Sequence, residues 1–201
     1  MHGVISSADH DSGRRFSTGP TIPEKFNEMR IRQFESELWL PQPREEVFAF
    51  FSDPGNLEAI TPPWVRFQTL TPTPIEMKAG ALIDYKLRIR GVPIRWRTKI
   101  MAWEPPVRFV DEQIRGPYRL WIHEHEFEVR DGGTLVGDRV RYAVWFDFLV
   151  HELLVRRDVA RIFAYRTDRL LERFGSGSGI VTSNQMPSIS AHDHTAQVPA
   201  D

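Results

Sequence analysis

Residues 34–40 alternate, with Phe34, Ser36, Leu38 and Leu40 on one side and Glu35, Glu37 and Trp39 on the other. A period of two predicts a strand with unlike faces. Pro41 and Pro43 stop it, and Pro43 suits the first turn of a short helix carrying Val47, Phe48, Phe50 and Phe51, which ends at Ser52-Asp53-Pro54-Gly55. Residues 57–63 read as a helical turn or loop closed by Thr61-Pro62-Pro63, and residues 65–70 as a second strand. Residues 82–89 and 94–103 flank Arg90-Gly91-Val92-Pro93 as a hairpin. With Ile89 opposite Ile94, Leu87 faces Trp96, Tyr85 faces Thr98 and Ile83 faces Ile100, while Asp84, Lys86, Arg88, Arg95, Arg97 and Lys99 point to water. Glu104-Pro105-Pro106 leads into a strand over 108–113, and Arg115-Gly116-Pro117 into a long one over 118–130. Asp131-Gly132 is a two-residue hairpin signal leading into 134–146. Residues 149–174 place Val155, Val159, Ile162, Phe163, Arg166, Leu170 and Phe174 three and four apart, which predicts a long amphipathic helix.

One strand, a short helix, six strands and a long helix put all helices on one face of an antiparallel sheet, because that sheet's apolar face needs a cover. The expected fold class is α+β, a helix-grip architecture with a curved antiparallel sheet of six to seven strands wrapped on the C-terminal helix. Residues 1–29 and 175–201 carry Gly, Ser, Thr, Asp and Pro without apolar periodicity, so a disordered lead-in and tail are expected around one domain at 30–174.

Composition narrows the function. The hydrophobic content of 41%, with thirteen Phe and six Trp, supplies both a core and aromatic side chains for a cavity. Outside the two tails the chain has 23 basic and 21 acidic residues, too nearly balanced to draw it to nucleic acid or an anionic membrane. No run of eighteen apolar residues and no signal-peptide core occur, so no stable membrane insertion and a cytoplasmic location are expected. With no cysteine there are no disulfides, thiolate metal sites or cysteine nucleophiles. There is no Gly-rich phosphate loop, no Gly-x-Ser-x-Gly elbow and no His-Glu-x-x-His.

Leu40-Pro41 through Glu46-Val47-Phe48, the loop Ile60-Thr61-Pro62-Pro63, the segment Phe109-Val110-Asp111-Glu112-Gln113, the stretch GPYRLWIHEHEF, the hairpin GGTLVGDRVRY and the closing IFAYR follow one another in an order that resembles the cyclase/dehydrase-type ligand-binding proteins of the START superfamily, also called SRPBCC. The resemblance implies a START-like domain with an internal pocket. It does not supply a reaction, since that scaffold serves lipid binding, hormone binding, quinone chaperoning and aromatic cyclisation alike.

The residues must therefore speak for the pocket. Counting back from Asp131-Gly132 pairs His125 with Asp138, His123 with Val140 and Trp121 with Tyr142, and sets Glu124, Glu126, Glu128, Arg139 and Arg141 on the opposite face. Phe109, Asp111 and Gln113 read as inward on the neighbouring strand, with Asp111 near His123 and Arg166 approaching from the helix. Inward carboxylates need donors, and these histidines and Arg166 are the available ones. Four readings follow: a structural network, polar recognition at the floor of an aromatic pocket, general acid/base catalysis by His123 or His125 with Asp111 or Asp138, and a metal on His123-x-His125. The last lacks a clear third ligand, so neither metal nor other cofactor is expected.

The expectation is a binding protein for a small hydrophobic molecule (lipid, quinone or polyketide-like) held by Tyr85, Trp96, Gln113, Trp121, His123, His125, Tyr142, Phe163 and Arg166. A cyclase/dehydratase is the alternative. The loop 56–64 reads as a rim or a rigid connector, Trp64 and Phe67 as lining or plain core, and residues 146–154 resemble in position the family's entrance segment, with packing against the domain expected.

Overall fold

The turn at Asp131-Gly132 sets the register on which the sheet is built. Both residues take positive φ, 49° and 75°, the type I′ geometry that matches the twist of paired strands. It joins β6 (Leu120–Arg130) to β7 (Gly133–Ala143). Arg130 faces Gly133, His125 faces Asp138, His123 faces Val140 and Trp121 faces Tyr142, as the sequence predicts. β1 (Arg32–Leu40) pairs with the other edge of β7, with Leu40 against Thr134 and Phe34 against Val140. Gly133 allows that close approach, since a Cβ there would run into the Leu40 carbonyl and the Trp39 ring.

β5 (Arg108–Arg115), β4 (Val92–Glu104), β3 (Leu82–Ile89) and the two-residue β2 (Gln68–Thr69) extend the sheet from the other side of β6. The order is β1-β7-β6-β5-β4-β3-β2, with every neighbouring pair antiparallel. This computed structural model describes residues 30–145 and 155–175. The expected lead-in, the tail from 176 onward and the entrance segment 146–154 lie outside the described residues, as does the expected first part of the long helix.

Three details differ from the sequence reading. In the β3–β4 hairpin Ile89 faces Val92, Leu87 faces Ile94, Tyr85 faces Trp96 and Ile83 faces Thr98. The loop is the two residues Arg90-Gly91, both at positive φ, rather than four, so the register slides by two. A slide by two keeps the parity, and Ile83, Tyr85 and Leu87 remain on the buried face. Second, the expected strand over 65–70 shrinks to Gln68–Thr69, because Pro63–Val65 forms a 3-10 turn and Arg66 turns left-handed at φ 46°. Third, Glu124 keeps the outer face that the sequence assigns it but is buried there. It is 1% exposed on the outer face and holds Arg108 at 2.8 Å and Arg139 at 3.4 Å, because a buried carboxylate persists only when paired.

A β-bulge between Ile100 and Ala102 re-aims β4. Beyond it Trp103 swings inward to stack near Phe48 and Phe109, at 5.3 and 5.8 Å between ring centres. Helix α1 (Arg44–Phe51) drops Val47, Phe48 and Phe50 onto this end of the sheet. Its Pro43 cap offers no side-chain acceptor, but Glu45 and Glu46 complement the helix dipole. Helix α2 (Arg156–Phe174) lies on the same face and buries Val159, Phe163, Leu170 and Phe174. Gln42 Nε2 donates to the Phe174 carbonyl at 2.6 Å and closes the helix's C-terminal end. At the other end Arg90, at the tip of the β3–β4 hairpin, forks onto Asp158 at 2.8 and 3.1 Å.

Phe127, 2% exposed, meets Phe48, Phe51 and Phe109 at 5.2, 5.3 and 6.1 Å. Phe127→Ala therefore removes the centre of an aromatic cluster, and the expected loss is about 3–5 kcal/mol. Chemical denaturation would register it as a lower midpoint with an unchanged slope. A loss below about 1 kcal/mol would show that this cluster is not the core.

Candidate functional site

Between α2 and the inner face of the sheet lies a cavity of about 570 Å³. β3 and β4 supply Ile83, Tyr85, Leu87, Trp96, Thr98 and Ile100; β5 and β6 supply Phe109, Asp111, Trp121, His123 and His125; α2 supplies Val159, Ile162, Phe163 and Arg166. The end of α1 and the segment after it form the remaining wall with Phe51, Leu57, Ile60, Trp64 and Phe67. The cavity exists because α2 spans the sheet from two anchored ends. Its middle rests on the sheet through Phe163, against Phe34 and His123, while Ile162 and Arg166 beside the void are only partly buried.

Tyr85, Trp96, Trp121, His123, His125, Phe163 and Arg166, all named from sequence, stand in this wall. Gln113 and Tyr142 do not. Gln113 instead bonds the Tyr118 backbone, with Nε2 donating to its carbonyl at 2.8 Å, and Tyr142 packs behind Trp121 at 5.9 Å between rings. Tyr118, read from sequence as a strand residue, precedes β6 and bends over the cavity between Trp96 and Trp121 at 5.6 and 4.7 Å. Its place depends on the Gly116-Pro117 turn, which no periodicity reports. Thr98, Ile162 and Phe109 are likewise absent from the sequence-derived set. Their inward parity was legible, but their distance from a void was not.

The polar part of the wall is compact. Asp138 Oδ1 lies 2.8 Å from His123 Nε2, a hydrogen bond, and 2.8 Å from His125 Nδ1. The second approach is too oblique for a hydrogen bond, so it acts through charge. On the cavity side Asp111 Oδ2 lies 3.4 Å from His125 Nε2 and 3.9 Å from His123 Nδ1. The two imidazoles stand 3.8 Å apart, with Phe109 stacked on His125 at 4.2 Å. The Arg166 guanidinium lies over the Phe163 ring at 4.9 Å, and its Nε has no hydrogen-bond partner among the described residues.

These neighbours separate the two histidines. Burial, then the charge of His125, hold His123 below the ordinary 6.5 despite Asp138. Burial also works against charge on His125, but Asp111 and Asp138 outweigh it and raise its value. Burial opposes ionisation of Asp138 too, yet the two imidazoles hold its carboxyl well below the usual range. Burial lowers Arg166, with both carboxylates pulling the other way. An imidazolium on His125 and the guanidinium then balance two carboxylates, and the floor can be buried at little net charge.

Residues 40–170 match a family described as polyketide cyclase / dehydrase and lipid transport. No curated protein matches the chain by sequence. Among solved structures, Ara h 8.0201 is similar at 17% identity and a TM-score of 0.56, over 73% of this chain and 99% of that one. The di-domain ARO/CYC StfQ from the steffimycin biosynthetic pathway is similar at 16% identity and a TM-score of 0.55, over 72% of this chain and 50% of that one. A nucleoside-diphosphate sugar epimerase from Corynebacterium glutamicum matches at 26% identity and a TM-score of 0.52, over 69% of this chain and 28% of that longer one. The helix-grip fold is common to these likenesses, and a catalytic set is not given by them.

The two histidines give an observable order. Imidazole NMR is expected to show His125 losing its proton above pH 6.5 and His123 below it. His125 thus stabilises the fold fully below pH 6.5, and that contribution fades as pH rises through its raised folded value. Asp138 contributes above its ordinary 3.8, and its share is lost only as pH falls through its lowered folded value. In Asp138→Asn the His125 midpoint should move down. Coincident midpoints near 6.5 in the unaltered chain would refute the arrangement.

Proposed function

Since the chain belongs to the polyketide cyclase / dehydrase and lipid transport family of the START/SRPBCC superfamily, we propose that its cavity takes up a small, largely apolar molecule bearing one polar end. The observation that carries this is the cavity itself. About 570 Å³ is the size of a drug-like ligand's site, lined largely by aromatic and aliphatic side chains, with Asp111, His123, His125 and Arg166 clustered on one part of the wall and Arg88, Arg90, Asp158 and Arg161 elsewhere in the lining. Trp64, Trp96, Trp121 and Tyr118 offer flat apolar faces that suit a planar ring system. Asp111, His123, His125 and Arg166 would orient a carbonyl or hydroxyl, since each such group left unpaired in this wall costs about 1–3 kcal/mol. Lipids, quinones and polyketide-like aromatics all have this division of character.

Turnover is the second reading, and one observation favours it: two imidazoles in the same wall are pushed in opposite directions. A neutral His123 beside a charged His125 is the pairing that proton transfer to and from a carbonyl substrate requires. The chemistry would be of cyclase or dehydratase type.

Two measurements separate the readings. Titration with 8-anilinonaphthalene-1-sulfonate, followed by tryptophan fluorescence, should show saturable binding that Ile162→Trp weakens at least tenfold by filling the cavity. Unchanged binding in that variant would place the probe elsewhere and sink the uptake reading. Deuterium exchange at the α-carbon of an aryl methyl ketone should exceed the buffer rate only if the pair is catalytic. Loss of that excess in His123→Gln, with dye binding kept, would support turnover, whereas exchange at the buffer rate in the unaltered chain would reject it.

A further inference from the structure

Three groups that ordinarily accept hydrogen bonds or bind cations face one another on the cavity wall. Asp111 Oδ2 is 3.4 Å from His125 Nε2 and 3.9 Å from His123 Nδ1, and one donor atom from each residue lies within 4.8 Å of the others. The far nitrogen of each ring faces Asp138 Oδ1 at 2.8 Å. His123, bonded to Asp138 through Nε2, keeps its Nδ1 for another partner. His125 turns Nε2 to the Asp111 carboxylate, and a cation that binds there displaces its proton. Two ring nitrogens and a carboxylate oxygen thus converge on one point of the wall.

We propose that Asp111, His123 and His125 bind a divalent first-row transition-metal cation, with Asp138 as the residue that orients both imidazoles. Imidazole nitrogen and carboxylate oxygen hold such a cation at about 2.0–2.2 Å, which sets tetrahedral ligands roughly 3.3–3.6 Å apart. The Asp111–His125 separation already fits, while the Asp111–His123 separation and the nitrogen-to-nitrogen spacing, within 4.8 Å, would have to close by side-chain rotation on binding. Two nitrogens and one oxygen suit zinc, iron, cobalt or manganese better than calcium or magnesium. A carboxylate on the far nitrogens of ligating histidines is the usual support of such centres, since it fixes the tautomer and strengthens the ligands.

Three protein ligands leave coordination positions open, and all three residues stand in the cavity wall. Arg166 adds a positive charge nearby, while Asp111 and Asp138 together outweigh it. The third ligand comes from β5, where Asp111 pairs with His123 as counting along the strands placed it. The inference does not depend on what else the cavity holds.

Cobalt(II) titration of the full chain, read by its visible absorption and by native mass spectrometry, tests this. One equivalent per chain is expected, with the intense bands of four- or five-coordinate cobalt that zinc bleaches. Asp111→Asn and His123→Gln should each weaken binding at least tenfold, and Asp138→Asn about 10–100-fold through misorientation of the imidazoles. Circular dichroism and dye uptake establish that each variant is folded. The chain also carries His192 and His194 in its tail, so binding that survives both ligand substitutions would assign the metal there and overturn the proposal. Absence of binding at millimolar cobalt or zinc would overturn it as well. If the variants do not fold, zinc titration of the unaltered chain decides: shifts of the His123 and His125 imidazole signals support the site, and shifts confined to the other histidines reject it.

Discussion

One carboxylate oxygen organises the inner face of this protein. Asp138 Oδ1 meets two imidazoles at 2.8 Å, from residues two apart on the same strand. A buried carboxylate without donors is several kcal/mol unfavourable, so it binds the chain to one arrangement of β6 and β7. The type I′ turn and the carboxylate enforce the same register from opposite directions, one through backbone geometry and the other through the penalty for mispairing. Slippage of β6 by one residue against β7 would turn both histidines to the outer face, bring Glu124 beneath the helix and leave Asp138 without its donors. Agreement between local and long-range demands is what gives a sheet a single pairing.

The sheet carries two sets of buried charge, and they differ in kind. On the outer face Glu124 is met by two arginines whose other contacts reach Glu104 and Glu35. That cluster ties five strands together, β1, β4, β5, β6 and β7. On the inner face Asp111, His123, His125 and Arg166 border a void. Charge at a void can be reached by a small molecule, whereas charge between packed strands cannot. The inner set therefore borders accessible space, while the outer set holds strands together.

Much of this was legible in the chain. Alternation fixes which residues share a face, and Asp131-Gly132 fixes which residue opposes which, so the meeting of His125 with Asp138 and of Asp111 with His123 followed from counting. Counting failed where a turn was ambiguous. Arg90-Gly91 and the four-residue Arg90-Gly91-Val92-Pro93 preserve the same parity, and only the backbone angles separate them. The bulge near Met101 leaves no mark in the hydrophobic pattern, because Trp103 reads as apolar on either face. The burial of Glu124 was missed for a related reason: a charged residue at an outward position looks solvated until Arg108, from another strand, is known to lie over it. The cavity belongs to the space between elements, and a one-dimensional pattern records faces rather than gaps.

The two ends of α2 are fastened unequally. The C-terminal end is set in packed rings, with Phe174 against Phe50 at 5.2 Å and its carbonyl capped by Gln42. The N-terminal end is held to the hairpin tip by the Arg90–Asp158 pair, half open to water, and surface pairs of this kind contribute about 1 kcal/mol or less. Val159 and Phe163 also pack that half of the helix on Phe34 and Val140. Salt screens the exposed clasp and leaves this packing and the rings at the far end untouched, so ionic strength acts on the tie between hairpin tip and helix and not on the apolar seating of the helix.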